Sequence, residues 1–237
     1  MSRCLKGFPT KDRIIEVAER LFAEKGLDGA SMRDITDAAG VNLAAVNYHF
    51  GSKNGLISAV FHRHFGPLNE ERLAMLDSVE AAAGDGPPSL EAVLDAFIRP
   101  AVTREHDSRF SLLMGRCMSE PAKYIEVHIR PHFEPLMRRF DSSVARALPD
   151  VPWDEIFWRM VFTIGALHNV VPIWWSNAIR VPYESVKLHD AEGIIRRLVS
   201  FAAAGLRSSA PDENLSKADL DERKGDNPLD LSTSAIQ

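Results

Sequence analysis

From Thr10 onward the apolar residues recur three and four apart. Ile14, Ile15, Val17, Ala18, Leu21 and Phe22 fall on one stripe of a helix that is expected to end at Gly26. Ser31-Met32-Arg33-Asp34 has capping-box spacing and opens a short helix that turns Ile35, Ala38 and Ala39 inward before Gly40 closes it. Asn42 caps a third short helix over 43–50, and Ser52 caps a fourth that carries Leu56, Ile57, Val60 and Phe61. Beyond residue 60 the punctuation changes, since only Pro9 of the 14 prolines lies before it. Gly66-Pro67 is expected to bend or break the fourth helix, which resumes through Leu73, Leu76 and Val79. Further helices are expected over 89–104, 108–118, 122–148 with kinks at Pro131 and Pro135, 153–175, and 191–207. No stretch alternates as a strand. The predicted fold class is therefore all-α, with an N-terminal three-helix helix-turn-helix domain at 10–61 and a C-terminal helical domain at 62–207.

Composition adds two constraints. The chain has 237 residues, 45% of them apolar, enough for a sizeable core. Its net charge is -5, but residues 208–237 hold seven acids and three bases, so most of the acidity sits in a tail expected to be disordered. A near-neutral body excludes a wholly basic nucleic-acid coat and leaves room for a local basic surface. Two cysteines, Cys4 and Cys117, support neither a disulfide scaffold nor a structural zinc site. The start lacks an apolar signal core, and the most apolar run is broken by His168, Asn169 and Pro172. A cytoplasmic protein with no membrane segment is expected.

The candidate chemistry lies in SMRDITDAAGVNLAAVNYHFGSK, residues 31–53. Two short helices joined by a glycine turn make a helix-turn-helix, whose first helix braces on phosphates while the second enters the major groove. Val41, Val46 and Phe50 suit the small core. Asn42, Leu43, Ala44, Ala45, Asn47 and Tyr48 are left facing outward. Small alanines allow close approach to base edges, and Asn47 suits bidentate pairing with adenine. Tyr48 and His49 offer donors to flanking phosphates. Lys53, in the first turn of the next helix, opposes the helix dipole, and a bound phosphate would reverse that penalty. Arg13 and Arg33 complete the positive surface, and double-stranded DNA is the expected partner.

The segment TKDRIIEVAERLFAEKGLDGASMRDITDAAGVNLAAVNYHFGSKNGLISAVF resembles the DNA-binding domain of the TetR family of transcriptional repressors. Ala39-Gly40-Val41, Tyr48-His49-Phe50 and Ser52-Lys53 carry the likeness. Positions 43 to 45 read Leu-Ala-Ala, where many members have Lys, Gly and Thr or Ser, so the operator cannot be copied from a relative. The resemblance implies a homodimer that binds a palindromic operator and releases it on binding a small molecule. It also implies a four-helix dimer interface built from the segments 153–175 and 191–207. In the second of these, Ile194, Ile195, Leu198, Val199, Ala202, Ala203 and Leu206 form a stripe that packs on its own subunit or, in the favoured reading, on the partner. The C-terminal half resembles the fatty-acid-responsive subgroup.

Other constellations were weighed against that reading. His128 and His132 sit at i and i+4, but Pro131 lies between them and no third ligand stands at a fixed offset, so no metal is expected. Nor is a cofactor expected. No nucleophile elbow, phosphate loop or metalloprotease motif supports the alternative of a helical enzyme. Proline-kinked helices leave space between them, and pockets between helices are common ligand sites. Met114, Met118 and Trp174 are candidate walls, with Arg116, His128 and His168 as candidate polar or anionic anchors. This pattern suits an elongated amphiphile such as a fatty acid or an acyl thioester.

Overall fold

The computed structural model describes residues 9–104, 113, 125–176 and 190–209, with side chains in 172–176 outside that set. All regular structure among the described residues is helical. The elements are α1 (Thr10–Gly29), α2 (Met32–Ala39), α3 (Leu43–Phe50), α4 (Lys53–Ala83) and α5 (Leu90–Thr103). A π-helical turn (Ile125–Ile129) then leads into α6 (Arg130–Ala147), α7 (Trp153–Ser176) and α8 (Ala191–Leu206). The expected helix over 108–118 and the tail beyond Ser209 lie outside the described residues.

Local chemistry sets most of the boundaries. The backbone N–H of Asp34 donates to Ser31 Oγ at 3.1 Å, and the Ser31 N–H donates to Asp34 Oδ2 at 3.0 Å. This is the reciprocal capping box read from the sequence. Gly40 ends α2 in the left-handed region at φ 61°, which a side chain with a Cβ adopts at a cost. Asn42 Oδ1 accepts from Ala45 N–H at 2.9 Å and Ser52 Oγ from Gly55 N–H at 3.1 Å, starting α3 and α4. The first helical run ends at Gly26 as expected, where the backbone turns to φ 83° and ψ 168°, and a short segment to Gly29 follows and buries Leu27 in the same core.

α4 differs more from expectation, for it runs unbroken through Gly66-Pro67. A proline removes one backbone hydrogen bond and crowds one carbonyl, which a long helix absorbs when its buried stripe continues on both sides. Here Phe61 and Phe65 precede it, and Asn69, Arg72 and Leu76 follow it. The same rule explains α6, where Pro131 occupies the first turn, its usual tolerated place, and Pro135 is carried inside.

α4 joins two hydrophobic cores. Its first half packs Leu56, Ile57, Val60 and Phe61 with Ile14, Phe22, Ile35 and Val46. Leu113 and Ile129, both beyond α5 in the chain, close that core. Further along, Leu76 joins a second core with Phe97, Phe140, Ile156 and Leu198, and Phe133 touches both. Glu19 of α1, only 1% exposed, lies 3.1 Å from His64 Nε2, while Arg63 bridges Glu16 at 3.0 Å. These polar ties hold α1 against α4.

The last helix corrects an expectation. Ile195, Leu198, Ala202, Ala203 and Leu206, assigned to a partner subunit, are buried inside this chain's second core. Arg159 of α7 donates to the Leu206 carbonyl at 2.8 Å, and Arg207 pairs with Glu91 of α5. Tying down both neighbours turns the α8 stripe inward. The exposed apolar groups are instead Trp153, Phe157, Trp158, Val161 and Phe162 of α7, with Phe201 of α8.

Candidate nucleic-acid interface

Val46 anchors α3, fully buried, while Val41 and Phe50 pack half-buried on the same core. With those three turned inward, the rest of α3 faces out. Asn42, Leu43, Ala44, Asn47, Tyr48 and His49 are exposed, and Ala45 is half-buried. Tyr48 has 86% of its surface free, far more than an aromatic ring keeps without a reason, and stacks only edge-on with His49. The Asn47 amide takes no hydrogen-bond partner among the described residues; only its backbone carbonyl is used, by Gly51. An exposed amide and phenol beside two alanine methyls can read base edges and bind phosphate.

The elbow after α3 depends on Gly55. A Cβ there would sit 2.0 Å from the Phe50 carbonyl oxygen, so only glycine lets α4 leave α3 this closely. Lys53 Nζ donates to the Asp28 carbonyl at 3.1 Å, so it is held beside the end of α1. That bond keeps the ammonium at the edge of the α3 face. Arg33 is almost fully exposed on α2, only loosely paired with Asp37 at 3.9 Å. Arg13 is half-buried, with its Nε unpartnered among the described residues.

The candidate ligand residues separate. Met114, Arg116 and Met118 lie outside the described residues, as does the Trp174 side chain. His128 is buried with Nδ1 3.3 Å from Ser58 Oγ, on the side of the first core. His132 meets His62 at 5.8 Å between ring centroids. Desolvation first, then the charge of a neighbouring histidine, lowers the pKa of both His128 and His132. His168 stands exposed on α7, next to Leu167 of the other core. Desolvation and then the Arg72 charge lower its pKa, although its side chain keeps an exposed surface. Arg72 lies fourteen residues along α4 from Ser58, about 21 Å at the helical rise. His128 and His168 therefore do not form one anchor for a small head group.

Two polar residues in that second region have no counterpart among the expected ones. Arg72 is 3% exposed, and its Nε donates to the Phe97 carbonyl at 2.8 Å. Asn69 donates to the His132 carbonyl at 2.8 Å. The signal was present in the sequence: Phe65, Asn69, Arg72 and Leu76 share one helical stripe, placing an amide and a guanidinium in apolar positions.

Residues 14–60 match the description "Bacterial regulatory proteins, tetR family", and residues 95–205 match "Tetracyclin repressor-like, C-terminal domain". The two matches fall on the α1–α4 unit and on the second core, in the family's order. The chain belongs to the TetR family. Among TetR relatives, it is 50% identical over 48 residues to the "Probable HTH-type transcriptional regulator YttP" of Bacillus subtilis, covering 20% of this chain and 23% of that protein. The chain spans less than half the length of the first curated relatives it matches. The fatty acid degradation regulator FadR from Bacillus halodurans superimposes with a TM-score of 0.61 at 16% identity, over 86% of this chain and 100% of that one. FadR from Bacillus subtilis, solved in complex with stearoyl-CoA, gives 0.52 at 14% identity, over 82% and 98%. At such identities the likeness shows the TetR fold alone. Among the described residues no helix is long and apolar enough to cross a membrane, and no group of three or more His, Cys, Asp or Glu is placed to hold a metal.

Proposed function

We propose that this TetR-family chain is a ligand-responsive transcriptional repressor that binds a palindromic operator as a homodimer. The observation that carries the reading is the α3 face, where Asn47 and Tyr48 stand free above a fully buried Val46. Two such helices enter successive major grooves on one side of the duplex, about 34–36 Å apart or somewhat more. Lys53, Arg33 and the backbone at the start of α4 supply phosphate contacts, so affinity falls steeply with salt. Dimerisation is supported by α7, which is apolar on both sides. Ile156, Met160 and Leu167 face the chain's own core, while Phe157, Trp158 and Phe162 face outward. A helix hydrophobic all round needs cover on both faces.

The inducer is proposed to be an elongated amphiphile, a fatty acid or acyl thioester. The fold shared with a protein solved with stearoyl-CoA supports this, together with the buried polar groups Asn69 and Arg72 beside an apolar second core. Binding there biases α4, which enters both cores, and shifts the spacing of the two recognition helices. A coupling of about 1–3 kcal/mol suffices for such control. The alternative of a helical enzyme draws no support from the family matches, both of which describe regulatory proteins.

The test selects duplexes from a random library and measures affinity by fluorescence anisotropy at several salt concentrations. The expected result is a two-fold symmetric site. Tyr48→Phe should weaken binding severalfold, and Lys53→Ala should lower the salt slope by about one. Failure to enrich any duplex above non-specific binding would overturn the repressor reading. Isotherms and salt slopes unchanged by both substitutions would remove the phosphate-contact assignment alone.

A further inference from the structure

Arg72 is a buried cation whose partners are all neutral. Its Nε donates to the Phe97 carbonyl at 2.8 Å, its Nη1 reaches Asn69 Oδ1 at 3.4 Å, and its carbon lies 4.2 Å from the centre of the Phe97 ring. Nη2 takes no partner among the described residues, and no carboxylate among them hydrogen-bonds to the group, the charge of Glu71 acting on it only through space. The other deeply buried arginine behaves differently: Arg159, also in the second core, is gripped by Glu155 at 2.8 Å. A guanidinium cannot shed its proton to escape an apolar site, and burial without a counter-charge costs several kcal/mol. Burial does pull its pKa down, to about 10, which leaves it charged at neutral pH.

Asn69 is already committed, donating to the His132 carbonyl and accepting from Arg72.

We propose that Arg72 is the counter-charge for an oxyanion head group. The inference rests on the amphiphile reading above and names the part of the ligand that the chain selects. A guanidinium fork suits two-point binding of a carboxylate or a phosphate. A free fatty acid carries the first and an acyl thioester of coenzyme A the second. The shared requirement is a negative oxygen pair on an apolar tail.

The experiment titrates dodecanoate, dodecanoyl-CoA and 1-dodecanol into the full chain by calorimetry, in wild type, Arg72→Gln and Arg72→Lys, with circular dichroism confirming the fold. Wild type is expected to bind at least one of the acids at least tenfold tighter than the alcohol. Preference for dodecanoate identifies a carboxylate; preference for dodecanoyl-CoA alone identifies the phosphate. Arg72→Gln should abolish the preference while leaving dodecanol within threefold, and Arg72→Lys should keep part of it. If the glutamine variant does not fold, a reduced but retained preference in the lysine variant carries the proposal and an undiminished one overturns it. Absence of any preference in wild type overturns it, as does a preference undiminished in Arg72→Gln. Equal loss of acids and alcohol in both variants also overturns it, leaving Arg72 as a tie between α4 and α5. Acid-selective binding that leaves the operator complex intact would keep the Arg72 site and remove amphiphile-driven release. Operator release by a polar metabolite, in a chain indifferent to dodecanoate and dodecanoyl-CoA, would remove both the Arg72 site and the amphiphile and leave only ligand-driven release.

Discussion

Gly55 and Val46 decide the interface at the scale of single residues. Val46 fixes which side of α3 faces inward, and Gly55 fixes how closely α4 follows it. Gly55→Ala is expected to destabilise the chain by about 1–3 kcal/mol, because the new methyl meets backbone rather than a yielding side chain. Urea unfolding measures this, and the same variant should bind the selected operator more weakly than its lower stability explains. Stability within a few tenths of a kcal/mol of wild type would show that the elbow relaxes freely. Asp34 illustrates a gentler local effect: the Ser31 hydroxyl and backbone N–H hold its carboxyl below the usual range. Capping of α2 therefore persists well into acid.

Two elements respond to pH in opposite directions. On α6, desolvation pushes Asp141 up to about 6, and its Oδ1 finds no hydrogen bond among the described residues. A carboxyl whose native pKa is raised favours the native state only while protonated, so stability is lost as pH rises from about 4 through 6. Asp141→Asn should add about 1–2 kcal/mol at pH 7.5 and little at pH 4, read by thermal unfolding at both values. Equal effects at the two pH values would contradict the cause assigned. The π-helical turn behaves the other way. His128 and His132 face Ser58, His62 and Asn69 of α4, and their lowered pKa values mean that the native contact prefers neutral rings. Its contribution is present above pH 6.5 and is lost as pH falls below that. Hydrogen-exchange protection of Ile125–Ile129 should accordingly drop between pH 7 and pH 5 relative to α5. Protection that stays constant would mean the turn is held by Ile129 packing alone.

For the whole molecule, the exposed aromatic face of α7 sets the expectation. Phe157 and Trp158 are adjacent, Phe162 stands one turn beyond Trp158, and each is more than half exposed. Trp158→Asp combined with Phe162→Asp should leave the subunit folded, since neither side chain belongs to the core, and convert a dimer into a monomer by sedimentation velocity. Operator affinity should fall more than tenfold, because each half-site then binds alone. A doubly substituted chain that still sediments as a dimer would move the interface elsewhere. The α8 substitutions suggested by its apolar stripe would test something different: Leu198 and Leu206 are interior, so their loss would unfold the second core.

What the sequence determined by itself is mostly local. Ser31, Asn42 and Ser52 hydrogen-bond to backbone N–H groups three residues on, and glycines close α2 and α3, so α2 and α3 were legible to within a residue. The outward face of α3 followed from the same periodicity. Longer-range choices were not legible, because helical spacing gives a stripe without naming what covers it. The α8 stripe could pack on a partner or on α5, and only the ties from Arg159 and Arg207 turn it inward. Pro67 could break α4 or be absorbed, and the two cores on either side decide for continuity. His128 and His168 share no level of α4, so two histidines of equal promise in the sequence stand beside different cores. Arg72 stood in an apolar stripe all along, but that no carboxylate neutralises it is a fact of tertiary packing. A charge in a stripe becomes informative once the groups brought around it from distant segments are known.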